Sequence, residues 1–352
     1  MKTIKVAIAG MGWFGRIHRE AWASIPGVEV VACCDKDKKQ HATNVVHAQD
    51  TFHRDAGQSL NEAATPEVPM YEDLKEMLSN HPTDLLDVVT TESTHYEVAR
   101  QGLEAGVNVL VEKPFVLSSE HSRELIELAR RAGKQLFAGL ILRFDSRYMT
   151  MHEEIASSNE RHVRHMSLER HFQVSSHEVY GRIHPYLGAC IHDIDVAIWF
   201  KGGAPSRVMS SVSHLLGKDH PDIVTGILEW DDGAKAVIQN AWHVAHGCPF
   251  GFQFDSKILT SDGTWIVRNE PAVHNWTNQQ AVYPEIFFWP KIDGRRQGAI
   301  HTELSHFAES VRCERPSYRV PMEQVHAGIL TAEALIRSSQ TRSWEKVSCP
   351  KI

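Results

Sequence analysis

Three stretches of this 352-residue sequence carry side chains whose types and spacing suit chemistry on a small molecule. The first is Gly10-Met11-Gly12-Trp13-Phe14-Gly15, lying between an apolar run, Ile4 to Ala9, and an amphipathic segment, Phe14 to Ala23. Glycines at that spacing between a strand and a helix suit a pyrophosphate. The first turns the chain tightly, the second lets backbone N–H groups approach the phosphates, and the third lets the helix lie close to the strand. The helix N-terminus then offers unpaired N–H groups and a partial positive charge. Asp35, twenty residues past Gly15 at the end of a second apolar run (Val28 to Cys34), can accept hydrogen bonds from both ribose hydroxyls and repel a 2′-phosphate. This favours NAD over NADP, although Lys36, Lys38 and Lys39 follow and can neutralise a phosphate.

The second stretch is Val109-Leu110-Val111-Glu112-Lys113-Pro114, an apolar strand ending in a charged pair and a proline. Ligands of open parallel sheets bind outside the carboxyl ends of the strands, which is where Lys113 falls. An ammonium there can hydrogen-bond a substrate hydroxyl and stabilise a developing alkoxide; a solvated lysine just past a strand has the same spacing. The third stretch runs from Gly188 to Phe200, with His192, Asp195 and Trp199 at i, i+3 and i+7. A histidine on such a face can take a hydroxyl proton at neutral pH, and a nearby carboxylate can orient it. A structural histidine, with Asp193 and Asp195 favouring the helix dipole, fits as well. The chain has 22 histidines, but His162, His165, His171, His177 and His184 lack zinc-site spacing, and no metal site is expected.

The elements that must position these residues can be read from periodicity. Up to residue 144, short apolar runs alternate with amphipathic segments, which predicts βαβ units and a parallel sheet. Further strands are expected at Leu85 to Thr90, Val107 to Val111 and Lys134 to Leu140, with helices at about Thr94 to Ala105 and from Ser118 or Ser119 to Ala132. Gly106 and Gly133 sit where left-handed C-caps belong. The polar stretch 49–68 reads as a surface insertion. From 145 to 352 strands dominate, at His162 to Phe172, Ser206 to Leu215, Ile223 to Trp230, Ala234 to Trp242 and Phe252 to Thr260. DDG at 231–233 and SDG at 261–263 mark hairpins. Helices at about 189–200, 301–312 and 323–339 flank this block, so a second domain with a largely antiparallel sheet faced by helices is expected.

Composition narrows the class. Lys plus Arg number 37 against 44 Asp plus Glu, a net charge of −7, which argues against a nucleic-acid protein. No apolar run approaches the roughly 18 residues of a membrane span, and the N-terminus lacks the features of a signal peptide. Six scattered cysteines without a CxxC pair suit reduced thiols and a cytoplasmic location.

Together AIAGMGWFGRIH, THYEVARQGLEAGVNVLVEKPF, IHDIDVAIWFKG and ALIRSSQTRSWEKV resemble, in order and spacing, the Gfo/Idh/MocA family: glucose–fructose oxidoreductase, inositol dehydrogenase and relatives. The resemblance implies a Rossmann domain followed by an open-sheet α/β domain that assembles as a dimer or tetramer through its sheet. It implies NAD(P)-dependent hydride transfer on a secondary alcohol or ketone of a sugar, cyclitol or sugar derivative. The family's catalytic lysine and histidine map to Lys113 and His192. Its cofactor positions map to Gly10, Met11, Gly12, Trp13, Phe14, Gly15, Asp35, Thr91, Thr94, His95, Glu112 and Lys113, and Arg143 sits where relatives reach toward cofactor or substrate. One departure stands out. Many members carry an aspartate four residues before the catalytic histidine, where this chain has Gly188; His184 or Tyr186 could reach the same space. Two other readings remain open: a dinucleotide-binding sensor that has lost its chemistry, and a glycosidase that recycles bound NAD.

Overall fold

The chain begins with a strand that is apolar on both faces, as a central strand of a parallel sheet must be. In the computed structural model, which describes residues 2–41, 67–158, 162–245, 252–268 and 286–349 and a few single positions between, β1 (Ile4–Ala9) lies inside a six-stranded sheet. Its partners are β2 (Val28–Cys34), β3 (Met70–Tyr71), β4 (Leu85–Val88), β5 (Asn108–Glu112) and β6 (Leu136–Gly139), in the order β3-β2-β1-β4-β5-β6. Every pairing is parallel. Side chains on both faces, among them Ile4, Val6, Ile8, Leu86, Val88, Val109 and Val111, are fully buried. Crossover helices supply the cover: α1 (Trp13–Ser24), α2 (Leu74–Asn80), α3 (His95–Glu104) and α4 (Ser119–Ala132). The Ser118 hydroxyl caps α4 by accepting from the His121 N–H at 3.2 Å, and Gly133 closes it at φ 62°. The stretch 49–68, apart from its last two residues, lies outside the described residues.

After α5 (Ser146–Ala156) the chain enters a seven-stranded sheet with β7 (Val163–Gln173) near its centre. Three helices follow β7: α6 (Val174–Tyr180), α7 (Pro185–Gly188) and α8 (Ile191–Lys201). Then come β8 (Arg207–Ser213), β9 (Ile223–Glu229), β10 (Lys235–Val244), β11 (Phe252–Thr260) and β12 (Thr264–Arg268). A short C-terminal strand, Glu345–Lys346, completes the order β12-β11-β7-β10-β9-β8-(345–346). The expected hairpins form at both DG turns, with Gly233 at φ 85°. The sheet is mixed, because β7 and β10 pair in parallel. The helical crossover α6 to α8 and the β8–β9 hairpin bring the chain back to β7 in the same direction.

The two sheets use residues on either side of 144, while the last helices serve both layers. α9 (Gly298–Arg312) packs on α1 and on residues 141–144, and α10 (Met322–Thr341) on α4, α8 and β8. Glu333 of α10 accepts from the backbone N–H and hydroxyl of Ser119 at 2.8 and 2.7 Å. Among the described residues no helix is long and apolar enough to cross a membrane.

Candidate active site

The glycine turn divides its labour as the spacing requires. Gly10 has φ 97°, and a Cβ there would stand 2.5 Å from the Val89 carbonyl group. A Cβ on Gly15 would stand 1.9 Å from the Gly10 oxygen, so only glycine lets α1 approach β1 this closely. Around Gly12 no atom would lie within 4 Å of such a Cβ. That open space sits at the N-cap of α1, where no side chain caps the helix and no acid occupies the first turn. It is a cradle for a phosphate. Asp35 stands over it, one oxygen accepting from the Met11 N–H at 2.7 Å and the other from the Asp37 N–H at 2.9 Å. Lys38 is drawn away to Glu72 at 2.9 Å. The residues present therefore fit a dinucleotide with free ribose hydroxyls. Trp13 and Phe14 pack edge-on against Trp289, with ring centroids 5.7 and 5.5 Å apart.

Lys113 leaves the end of β5 through a cis peptide to Pro114, and the Glu112 carboxylate accepts its backbone N–H at 2.9 Å. From Ile191 to Phe200 every residue of α8 is buried except His192, which is half-buried. A helix buried all round is held by packing, so its one partly open position is fixed in direction. The two side chains share one electrostatic neighbourhood. Burial and then the charges of Lys113 and Arg170 push the His192 imidazole well below its ordinary value. Burial, opposed by Glu112, lowers the Lys113 ammonium. A neutral imidazole and an ammonium within electrostatic reach of each other can accept a proton from a hydroxyl and hydrogen-bond the oxygen left behind.

Comparison with known proteins agrees. The description "Oxidoreductase family, NAD-binding Rossmann fold" matches residues 4–140, and "GFO/IDH/MocA C-terminal domain" matches residues 184–265, together more than half of the chain. The chain belongs to the Gfo/Idh/MocA family. It is an oxidoreductase with an NAD-binding Rossmann domain. Among curated relatives it is 26% identical to D-apiose dehydrogenase of Paraburkholderia graminis over 68% of this chain and 60% of that protein. It is 24% identical to inositol 2-dehydrogenase of Salmonella typhimurium over 99% of this chain and 98% of the relative. Among solved structures, myo-inositol 2-dehydrogenase of Lactobacillus plantarum superposes with a TM-score of 0.79 at 21% identity, covering 99% and 100% of the two chains. Scyllo-inositol dehydrogenase of Lactobacillus casei with bound NAD(H) and scyllo-inositol gives 0.77 at 18% identity, covering 98% and 99%.

Several residues expected to touch ligands in this family member have other duties. Arg143 is fully buried. Its Nε and Nη2 bind Asp195 at 2.6–3.1 Å, and its Nη1 donates to the Arg319 carbonyl and Gln324. All three nitrogens are thus engaged inside the protein, and the Asp195 carboxylate is taken up by Arg143. Tyr186 is likewise fully buried, with its hydroxyl 2.7 Å from that of Ser210 on β8. His184 accepts the Tyr186 N–H and caps α7; burial, then His220 and His214, lower it to about 4. His95 is buried, its ring nitrogens 2.8 Å from the Pro114 carbonyl and 3.0 Å from that of Thr90. It ties the loop after β4 to the Lys113–Pro114 turn and has no side-chain nitrogen left for a cofactor. The Met11 N–H is spent on Asp35. Thr91, exposed, and Thr94, half-buried, flank the space beside that loop. At Gly188 a Cβ would meet Ile183 at 3.3 Å, and no carboxylate figures among the charges acting on His192.

Three residues escaped the motif reading. Arg170 on β7 is buried and forks onto Asp193 of α8 with two 3.0 Å bonds. It occupies the same inward phase of β7 as Met166 and Leu168. A charge at an apolar phase was the available signal. Glu92 and Arg182 form the other pair: Glu92 lies inside the Thr91–His95 loop that the family resemblance gives to the cofactor, and Arg182 belongs to no motif.

Proposed function

We propose that this protein is an NAD-dependent dehydrogenase that interconverts a secondary alcohol and a ketone on a cyclitol, a sugar or a sugar derivative. The observation that carries the reading is that Lys113, at the end of β5, and His192, on α8, act on each other's charge, together with a glycine turn that is open at Gly12. The relatives named above, cyclitol and apiose dehydrogenases, support the substrate class. NAD, when bound, accepts or returns the hydride. The glycine turn and Asp35 would hold its phosphates and ribose, and Glu112 fixes the Lys113 backbone. His192, neutral because of its surroundings, takes the hydroxyl proton, while the Lys113 ammonium hydrogen-bonds the same oxygen as charge develops on it. In reduction the pair works in reverse.

The family's usual assembly supports a dimer or tetramer through the second sheet, and light scattering tests it. The free cysteines, three of them buried and none in a disulfide among the described residues, support a cytoplasmic site. The decisive experiment is absorbance at 340 nm with NAD or NADP and a panel of cyclitols, aldoses, sugar acids and amino sugars. One compound class should yield NADH with wild-type protein. Lys113→Ala should lower turnover on it at least about 100-fold while leaving NAD binding largely intact. A mutant with near-wild-type turnover would remove Lys113 from the mechanism.

A further inference from the structure

Glu92 lies in the loop between β4 and α3, one residue past Thr91, and Arg182 lies in the loop between α6 and α7, two residues before His184. Ninety positions separate them in sequence, yet the guanidinium forks onto the carboxylate with Nε–Oε1 at 2.6 Å and Nη2–Oε2 at 2.8 Å. The acid is buried, at 8% exposure, while the arginine side chain keeps 48% of its surface. A planar fork on a buried carboxylate fixes distance and orientation together, which a single point contact cannot do. Burial alone would raise the Glu92 carboxyl. Arg182, the Glu92 backbone and His95 override it and hold the acid below its usual range. Both members also act electrostatically on Lys113.

The placement gives the pair its meaning. On one side, Glu92 sits on the loop that His95 ties to the Lys113–Pro114 turn. On the other, Arg182 starts the short run that ends in α8 and His192, with α7 pinned to the second sheet through Tyr186 and Ser210. Lys113 follows a strand of the first sheet and His192 stands on a helix packed against the second, so their joint action depends on holding the two loops in register.

We propose that the Arg182–Glu92 pair is a latch between the β4–α3 and α6–α7 loops that positions the His192 side of the active site against the Lys113 side. Neither residue is a catalytic group; both act through the loops they join. This rests on the oxidoreductase reading for its kinetic readout but has a structural readout of its own.

The test uses full-length Arg182→Met, Glu92→Gln and Arg182→Lys. Amide hydrogen exchange is followed over the 90–95 and 180–188 peptides, NAD affinity by calorimetry, and kcat and KM on whichever panel compound turns over. Each of the first two variants should speed exchange in both peptides, including the one it does not mutate. Turnover should fall about tenfold while the NAD Kd stays within about twofold and the thermal midpoint holds. Arg182→Lys, which keeps the charge but not the fork, should fall between. Exchange confined to the mutated loop overturns the latch, as does unchanged kcat with weakened NAD affinity, which would make Glu92 a cofactor residue only. If the wild type is silent on every compound, the dehydrogenase reading fails, and exchange alone decides the latch.

Discussion

At the scale of single residues, the environment of His192 makes a statement that its sequence motif does not. A histidine paired with a carboxylate is a stronger base than a free one, and this histidine is not so paired. Burial and two cations push it well below 6.5, and Lys113 falls below 10.5 through burial. The catalytic forms are the neutral imidazole and the charged ammonium. The acid limb of kcat/KM should therefore lie below pH 6.5 and the alkaline limb below pH 10.5, with a broad active range between them. A pH–rate profile on the turned-over compound checks this, and His192→Gln should remove the acid limb. An acid limb at or above pH 6.5 would show that a carboxylate reaches His192 after all. Arg143 shows the opposite lesson. Its position suggested a ligand contact, but a buried guanidinium must find acceptors inside the protein, and here Asp195 and Gln324 supply them.

Elements were the most legible scale, because periodicity reports burial and burial shapes elements. The bounds of β1, β2 and β11 coincide with the apolar runs, and the cap at Ser118 and the left-handed Gly133 follow from local chemistry. What could not be read was pairing between distant segments. The parallel β7–β10 contact depends on how a three-helix crossover returns, the Arg170–Asp193 fork on how α8 packs on β7, and the Arg182–Glu92 fork on which loops meet. The glycine turn allows a test at this scale, since its glycines face different constraints. At Gly12 (φ −63°) an alanine has an ordinary backbone and open space. Gly12→Ala should still fold, at a loss of about 1 kcal/mol because alanine is a poorer N-cap than glycine, yet bind NAD at least about tenfold more weakly, its methyl occupying the phosphate cradle. Gly15→Ala should fail to fold stably, because its Cβ would overlap the Gly10 carbonyl. Calorimetry and thermal unfolding separate the two, and tight NAD binding by Gly12→Ala would show that the cradle lies elsewhere.

At the scale of the whole molecule, a buried ionic cluster joins the first sheet to a helix from the far end of the chain. His18 lies 2.8 Å from Asp87 and 3.4 Å from Glu112, and Trp22 donates to the same Asp87 oxygen at 2.6 Å. Glu303 of α9 is fully buried beside them, and no side chain among the described residues donates a hydrogen bond to either of its oxygens. Three carboxyl groups surround one buried imidazole, and they cannot all be charged. Burial would neutralise His18, but Asp87 and Glu112 hold it protonated, with its pKa raised to about 10. That leaves Glu303 to keep its proton: burial first, then Glu112 and Asp87, raise it well above 4.5, with His18 and the Leu140 amide opposing. The consequence for stability has a definite sign. An acid whose pKa is higher in the folded state binds more protons folded than unfolded between the two values, so stability falls as pH rises from about 4.5 toward the folded pKa. Glu303→Gln keeps the shape and donor capacity of the neutral acid and cannot ionise. It should gain little at pH 5 and at least about 1 kcal/mol at pH 8, about 1–2 °C in Tm for a chain of this length, with the two melting curves diverging steadily between. Thermal unfolding of both proteins across that range is the measurement. Parallel curves would mean that Glu303 is ionised at neutral pH and that a donor outside the described residues satisfies it. Diverging curves would mean that α9 is held against the sheet behind Lys113 by a carboxylic acid kept neutral, at a cost that rises with pH.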